Sequence, residues 1–592
     1  MTSNHSMSKN TRNIRLSLPR LNHTHLKYNG LVLSLLALSV VASTAQAEET
    51  HQAEPSNAPI TSLTSLSSLR NIAASNAINR AGSQPLKTPI IEKITTKAGT
   101  PTLFVAAPEL PIIDIRLTFD AGSARDSELR AGLYGLASLT SQLLDEGTST
   151  QSTDDIAASF EKLGAAFSAA SYRDMFTVNL RTLSDPAYFN PAVDQLLNIL
   201  KDAQFPQASI DRIINNAAIG QQQRKESPGS VVGIRFYREL YGKHPYAEPT
   251  TGTEASLKKI TPQDIRRFKD TYLVANNLNI AITGQLTRQQ AEQLANRISQ
   301  SLPAGQKAQS LPEPAPLAAA KTIAVPFKST QSHIIIGQLG ISRDNPDSYA
   351  LIVGNEMLGG SGFNALLMKE LREKRGLTYG AYSGFTSMRT KGPFSISYST
   401  RGDQAVESIR VAKQTLQNFL NTPLDQQLLE ETREGLLKGY PLSLSSNESI
   451  LGYLGMIGFY NLPTTYLADY PKKIEAVSSS QIQQALRQYI KPEQMLTVVV
   501  GQPFDSAALN VPIAPATPAS QPVPAISPTS LPEASTMPTS PAALTDETGT
   551  PTAPVVSPNA ASGNEGLSNP SLIAPSSVNP PAISKPNAGA QP

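Results

Sequence analysis

Arg372 and Tyr379 lie on either side of Gly376 in the run Leu371-Arg372-Glu373-Lys374-Arg375-Gly376-Leu377-Thr378-Tyr379. A guanidinium offers a fixed fork of donors, and a phenol offers one donor aimed by a rigid ring. Together they can hold a peptide carbonyl and stabilise the oxyanion that forms when it is attacked. The same residues also have plain structural uses. An arginine at a helix end complements the macrodipole, and a strand tyrosine packs. The pair alone does not choose between these roles.

The surrounding pattern says what must position the pair. Phe363, Leu366, Leu367 and Leu371 fall at helical spacing and predict one apolar stripe. Gly376 can take the left-handed conformation that ends a helix. Leu377, Tyr379, Ala381, Ser383 and Phe385 then alternate, which predicts one face of a strand. Phe363-Asn364-Ala365-Leu366-Leu367, Leu371-Arg372-Glu373 and Gly376-Leu377-Thr378-Tyr379 together resemble the C-terminal-domain signature of the pitrilysin/insulinase-type zinc peptidases, the family of mitochondrial processing peptidase. The resemblance covers residues 86–505. It implies that Arg372 and Tyr379 contact substrate and help stabilise the transition state.

The same resemblance places Gly135 to Thr148 where active members carry His-x-x-Glu-His, two imidazoles for zinc and a glutamate that activates water. Those positions hold Ser138, Ser141 and Gln142, and the position of the third ligand, counted back from Pro228, holds Gly220. The expected metal content of this chain is therefore none. Histidine usage agrees: beyond residue 47 only His51, His244 and His333 remain, none with a partner at i+4.

Other chemistry is thin. Gly359-Gly360-Ser361-Gly362 lacks the Lys-Ser/Thr ending of a phosphate loop, Arg224-Lys225-Glu226 reads as a solvated helix face, and Asp145-Glu146 as a helix-end turn. A formal charge of +3 gives no support for nucleic-acid binding. There is no cysteine, so neither a disulfide nor a lipidated cysteine is available.

The organisation follows from composition. Arg12, Arg15, Arg20 and Lys27 precede an apolar run, Leu31 to Ala42, and Ala45-Gln46-Ala47. This predicts a cleaved signal peptide over 1–47, no stable membrane insertion and a periplasmic destination. A Ser/Thr/Asn-rich leader (48–85) and a Pro/Ala/Ser-rich tail (506–592) predict disorder. Between them, 86–301 and 321–505 flank a Pro/Ala-rich linker, 302–320. Ile260 to Gln285 and Val477 to Gln502 repeat one pattern without a gap, which predicts two homologous domains. Strand pairs mixed with helices predict an α+β class, and the resemblance implies half of a clamshell.

The function so implied is that of a zinc-free subunit, with peptide as substrate and zinc held by a homologous partner. A protein-binding homologue without catalytic duty is the alternative. An autonomous peptidase is disfavoured by the residue inventory.

Overall fold

The computed structural model describes residues 88–362 and 364–510. The expected signal peptide, the leader and all but the start of the tail lie outside them, as does Phe363. Mixed helices and strands build two sheets, confirming the α+β class. The first has the order β1 (Glu92–Thr95), β2 (Pro101–Ala106), β6 (Leu278–Gly284), β3 (Ile112–Phe119), β5 (Phe176–Leu183), β4 (Ala166–Ser171). The second has the order β7 (Lys321–Pro326), β11 (Leu496–Gly501), β8 (Gln331–Leu339), β10 (Pro393–Arg401), β9 (Ala381–Phe385). In each, the last strand of the half has one parallel neighbour, β6 beside β2 and β11 beside β7, and the remaining pairings are antiparallel. The repeat seen in sequence is thus a repeat of topology. Thr261 and Ser478 both close capping boxes on the matching helices Pro262–Tyr272 and Ser479–Tyr489.

The central strands of each sheet are buried on both faces, which explains why β6 and β11 read as near-continuous apolar runs. On the first sheet Phe104, Ile280 and Ile282 face that half's own helices. Leu103, Val105 and Ala281 face the other way and join the core of the second half. What covers them is the helix Asn447–Phe459, which packs on β6, β3 and β2. Reciprocally, the helix Pro228–Tyr241 packs on β11 and β8, where Val232, Phe236 and Leu240 meet Ile335, Val498 and Val500. Each half therefore lends one helix to the other half's sheet.

Both loaned helices start from a serine cap, Ser227 followed by Pro228, and Ser446. Close approach needs glycine at opposite partners in the two contacts. A side chain at Gly455 would strike Arg116 (2.8 Å), and one at Gly337 would strike Phe236 (2.8 Å). The connector 302–320 carries no helix or strand, yet it is stitched down: Pro303 and Ala304 carbonyls accept from Ala275 and Asn276 at 2.9 Å.

Candidate functional site

The segment carrying Arg372 is a π-helical turn, Met368–Glu373, with Lys374 N–H bonded five residues back to Lys369 O at 3.0 Å. Such turns are rare and concentrate at functional sites. Gly376 adopts φ 61°, and its neighbours close the turn: Gly376 N–H donates to Arg372 O (2.9 Å) and Leu377 N–H to Leu371 O (2.8 Å). The helix-stop role expected of Gly376 is therefore met.

The strand begins later than the alternation suggests, at Ala381, so Tyr379 is not on it. The reason is local hydrogen bonding. Thr378 Oγ1 lies 2.7 Å from Ser399 O and accepts from Gly380 N–H, while Thr400 Oγ1 donates to Leu377 O at 2.6 Å. These contacts pin residues 377–380 to β10 in a bend and turn Tyr379 outward, 87% exposed. Leu377 and Ala381 on either side are buried. Arg372 is also exposed, on the turn that packs against β9. The phenol is thus held out by a fixed backbone.

The helix Leu136–Leu143, which carries Ser138, Ser141 and Gln142, packs against the helix Gln207–Glu226, which carries Gly220. The side chains at these positions do not suit zinc. Ser141 Oγ donates to Ser138 O (2.8 Å), and Gln142 Nε2 donates to Ser138 O (3.1 Å). At Gly220 the place of a side chain is open, with only Arg224 Nη1 at 4.0 Å. Among the described residues no three His, Cys, Asp or Glu side chains gather as a metal site. The helix itself stands because the buried Asp126 carboxyl accepts from Gly135 N–H (2.6 Å) and Ala137 N–H (2.8 Å).

A cavity of ≈290 Å³ lies where the loaned helix Pro228–Tyr241 crosses the second sheet, lined by Arg173, Tyr237, His333, Gly380, Tyr382 and Ser399 among others. It reaches the loop that presents Tyr379. Neighbouring it, the buried Asp174 ties the halves together. Its carboxyl accepts from the Tyr246 hydroxyl, from the Tyr460 hydroxyl (2.9 Å) and from Arg389 N–H (2.7 Å). Burial, and next the Asp174 charge, push both phenols well above their usual range, so they remain donors. No motif announced this node, because its members are scattered over residues 174 to 460.

The two histidines within the described residues are structural. His244 Nδ1 accepts from Tyr246 N–H (3.1 Å), which leaves Nε2–H to donate to Pro312 O (2.8 Å). His333 Nδ1 lies 3.1 Å from Ser399 Oγ. Burial lowers the pKa of both. The unfolded chain therefore binds more protons below about pH 6.5, and folding stability falls as pH drops through that value. Thermal melts from pH 8 to 5 should show the loss, and His244→Asn with His333→Asn should flatten it. An unchanged slope in the double variant would assign the effect to other groups.

Comparison with known proteins agrees with this arrangement. Residues 103–254 match the insulinase profile (peptidase family M16), and residues 259–436 match the peptidase M16 inactive domain. A solved peptidase M16 inactive domain from Pseudomonas fluorescens is 36% identical, with a TM-score of 0.67, over 70% of this chain and 98% of that one. An uncharacterized zinc protease of Bacillus subtilis is 22% identical over 69% of this chain and 98% of the relative. A non-peptidase homologue from Helicobacter pylori is also 22% identical, over 68% of this chain and 92% of its own length.

Proposed function

The chain belongs to the insulinase family of peptidases, family M16, as an inactive homologue, and from that premise we propose that it is the metal-free subunit of a two-chain periplasmic metallopeptidase. Its partner would be a relative with an intact His-x-x-Glu-His, supplying zinc and the carboxylate that activates water. This chain would supply substrate binding, with Arg372 on the carbonyl and Tyr379 on the developing oxyanion. The observation that carries the reading is Tyr379, held out at 87% exposure on a loop pinned from both sides. A side chain so rigidly presented, and so little used by its own fold, suits a group that works on something bound. The periplasmic assignment rests on the basic and apolar runs before Glu48.

The deciding experiment mixes the purified chain with such a relative. Light scattering after size exclusion should give a heterodimer, with 511–592 dispensable. Cleavage of an unstructured peptide should appear only in the mixture, and zinc should reside only in the partner. One zinc per copy of this chain, retained through dialysis against a mild chelator, would overturn the reading, as would two species that ignore each other.

A further inference from the structure

The glycine run that lacks a phosphate loop's ending borders a cavity of ≈470 Å³ in the second half. Its walls come from the helices Ser348–Gly359, Gln426–Gly439, Asn447–Phe459 and Tyr466–Ala476. Two carboxylates line it, Glu356 and Glu431, and among the described residues no lysine, arginine or histidine does. Both are held by neutral donors. Glu356 Oε1 accepts from Ser361 N–H (3.2 Å) and from its hydroxyl (3.3 Å). Glu431 accepts from Gln427 Nε2 (2.9 Å) and Asn364 Nδ2 (3.3 Å). Glu356 also stands in the last turn of its helix, where no basic residue offsets the macrodipole. Burial pushes its pKa up, and no neighbouring cation pulls it back.

A second observation is aromatic. Tyr440, Tyr453 and Tyr470 line the same cavity. The Tyr440 hydroxyl donates to Leu467 O (2.7 Å), and that of Tyr453 to Ser443 Oγ (3.3 Å). Tyr470 stacks on Tyr440 with ring centroids 4.5 Å apart and is only 4% exposed. Among the described residues its hydroxyl has no hydrogen-bond partner, yet the oxygen is not sealed off from small molecules. The space it lines is this cavity. Aromatic rings and carboxylates without a counter-ion favour the same ligand, a cation.

We propose that this cavity binds a cationic head on a short apolar stem, a guanidinium or primary ammonium donating to Glu356, Glu431 and the Tyr470 hydroxyl. Leu428 and Leu436 supply the apolar wall for the stem. Gly435 and Gly439 leave room for it, since a side chain at either would meet nothing within 4 Å. An arginine or lysine side chain of a peptide and a free alkylamine share this chemistry. The assignment stands whether or not the chain pairs with a peptidase, because the cavity is built from the second half alone.

The test is isothermal titration of the purified full chain, without any partner. The probes are agmatine, a short capped peptide with one central arginine, and the same peptide with citrulline in its place. At least one of the two cationic probes should bind, and the citrulline peptide should be weaker than its arginine counterpart by about tenfold. That is the order expected for a hydrogen bond between charged groups. Tighter binding of the arginine peptide assigns the cavity to a peptide side chain, and tighter binding of agmatine to a free amine. Glu356→Gln should weaken the preferred cation about tenfold while the melting temperature holds or rises, because a charge leaves the helix end. Gly435→Met should abolish binding by filling the space, with the fold kept by its better helix propensity. Glu434→Gln, already paired with Lys438 outside the cavity, is the control and should bind as wild type. Failure of both cations to bind at millimolar concentration would overturn the proposal. So would an arginine peptide that binds no tighter than its citrulline counterpart while agmatine does not bind. Wild-type affinity in both Glu356→Gln and Gly435→Met would place the binding elsewhere and overturn it too.

Discussion

In the reconstituted pair, Tyr379→Phe is expected to lower kcat by about 10²–10³-fold, the usual consequence of removing one oxyanion donor. The substitution deletes a hydroxyl and nothing else. Because the ring is 87% exposed and its neighbours hold the bend through Thr378 and Thr400, the fold has no stake in that oxygen. Arg372→Ala should lower kcat and also raise KM, since a guanidinium on the carbonyl positions the substrate before the transition state forms. Arg375→Ala is the control within the same turn. Its guanidinium is already committed to Glu370, at 2.6 Å to Oε2 and 2.9 Å to the carbonyl oxygen. Its loss should cost at most about 1 kcal/mol of stability and leave cleavage intact. Steady-state cleavage is the measurement, with complex formation checked in parallel. Wild-type rates in both Tyr379→Phe and Arg372→Ala would make the loop structural, and the chain a binding homologue without catalytic duty.

The largest effect on stability is expected at Asp174. Asp174→Ala strands two phenolic donors and the Arg389 N–H in a region closed to water, since Asp174 is 2% exposed. Each buried donor left without an acceptor costs about 1–3 kcal/mol, and breaking such a buried charged cluster costs about 3–5 kcal/mol in all. Asp174→Asn should cost less, because its amide oxygen still accepts while its NH₂ faces donors. Urea denaturation followed by circular dichroism measures both. A loss below about 1 kcal/mol for Asp174→Ala would mean that the node does not hold the halves together. One transition giving way to two would show that it is what couples them.

The repeat was legible in the sequence because it is carried by local signals: capping boxes at Thr261 and Ser478, and the apolar strands that follow. Gly376 was legible for the same reason. Tyr379 was misplaced onto a strand because period-two alternation continues through a bend that Thr378 and Thr400 impose by side-chain bonding. Alternation reports which side chains are buried, not which backbone groups are paired. At the positions that the resemblance implies for metal, Ser138, Ser141, Gln142 and Gly220 offer neither an imidazole nor a carboxylate, and that much needs no fold to read. The Asp174 node was not legible. It is a meeting of segments distant in sequence, and no spacing rule reaches that far.

The exchange of helices between the two sheets also sets the order in which the molecule can be finished. As the chain leaves the ribosome, the strands of the first sheet are complete once β6 has been made. The helix that must cover their second face, Asn447–Phe459, comes only after all but the last strand of the second sheet. Until then Leu103, Val105 and Ala281 have no cover. The first half is therefore an open intermediate during synthesis, with its apolar surface in need of protection. Folding of the protein then becomes one late event in which both halves close on each other.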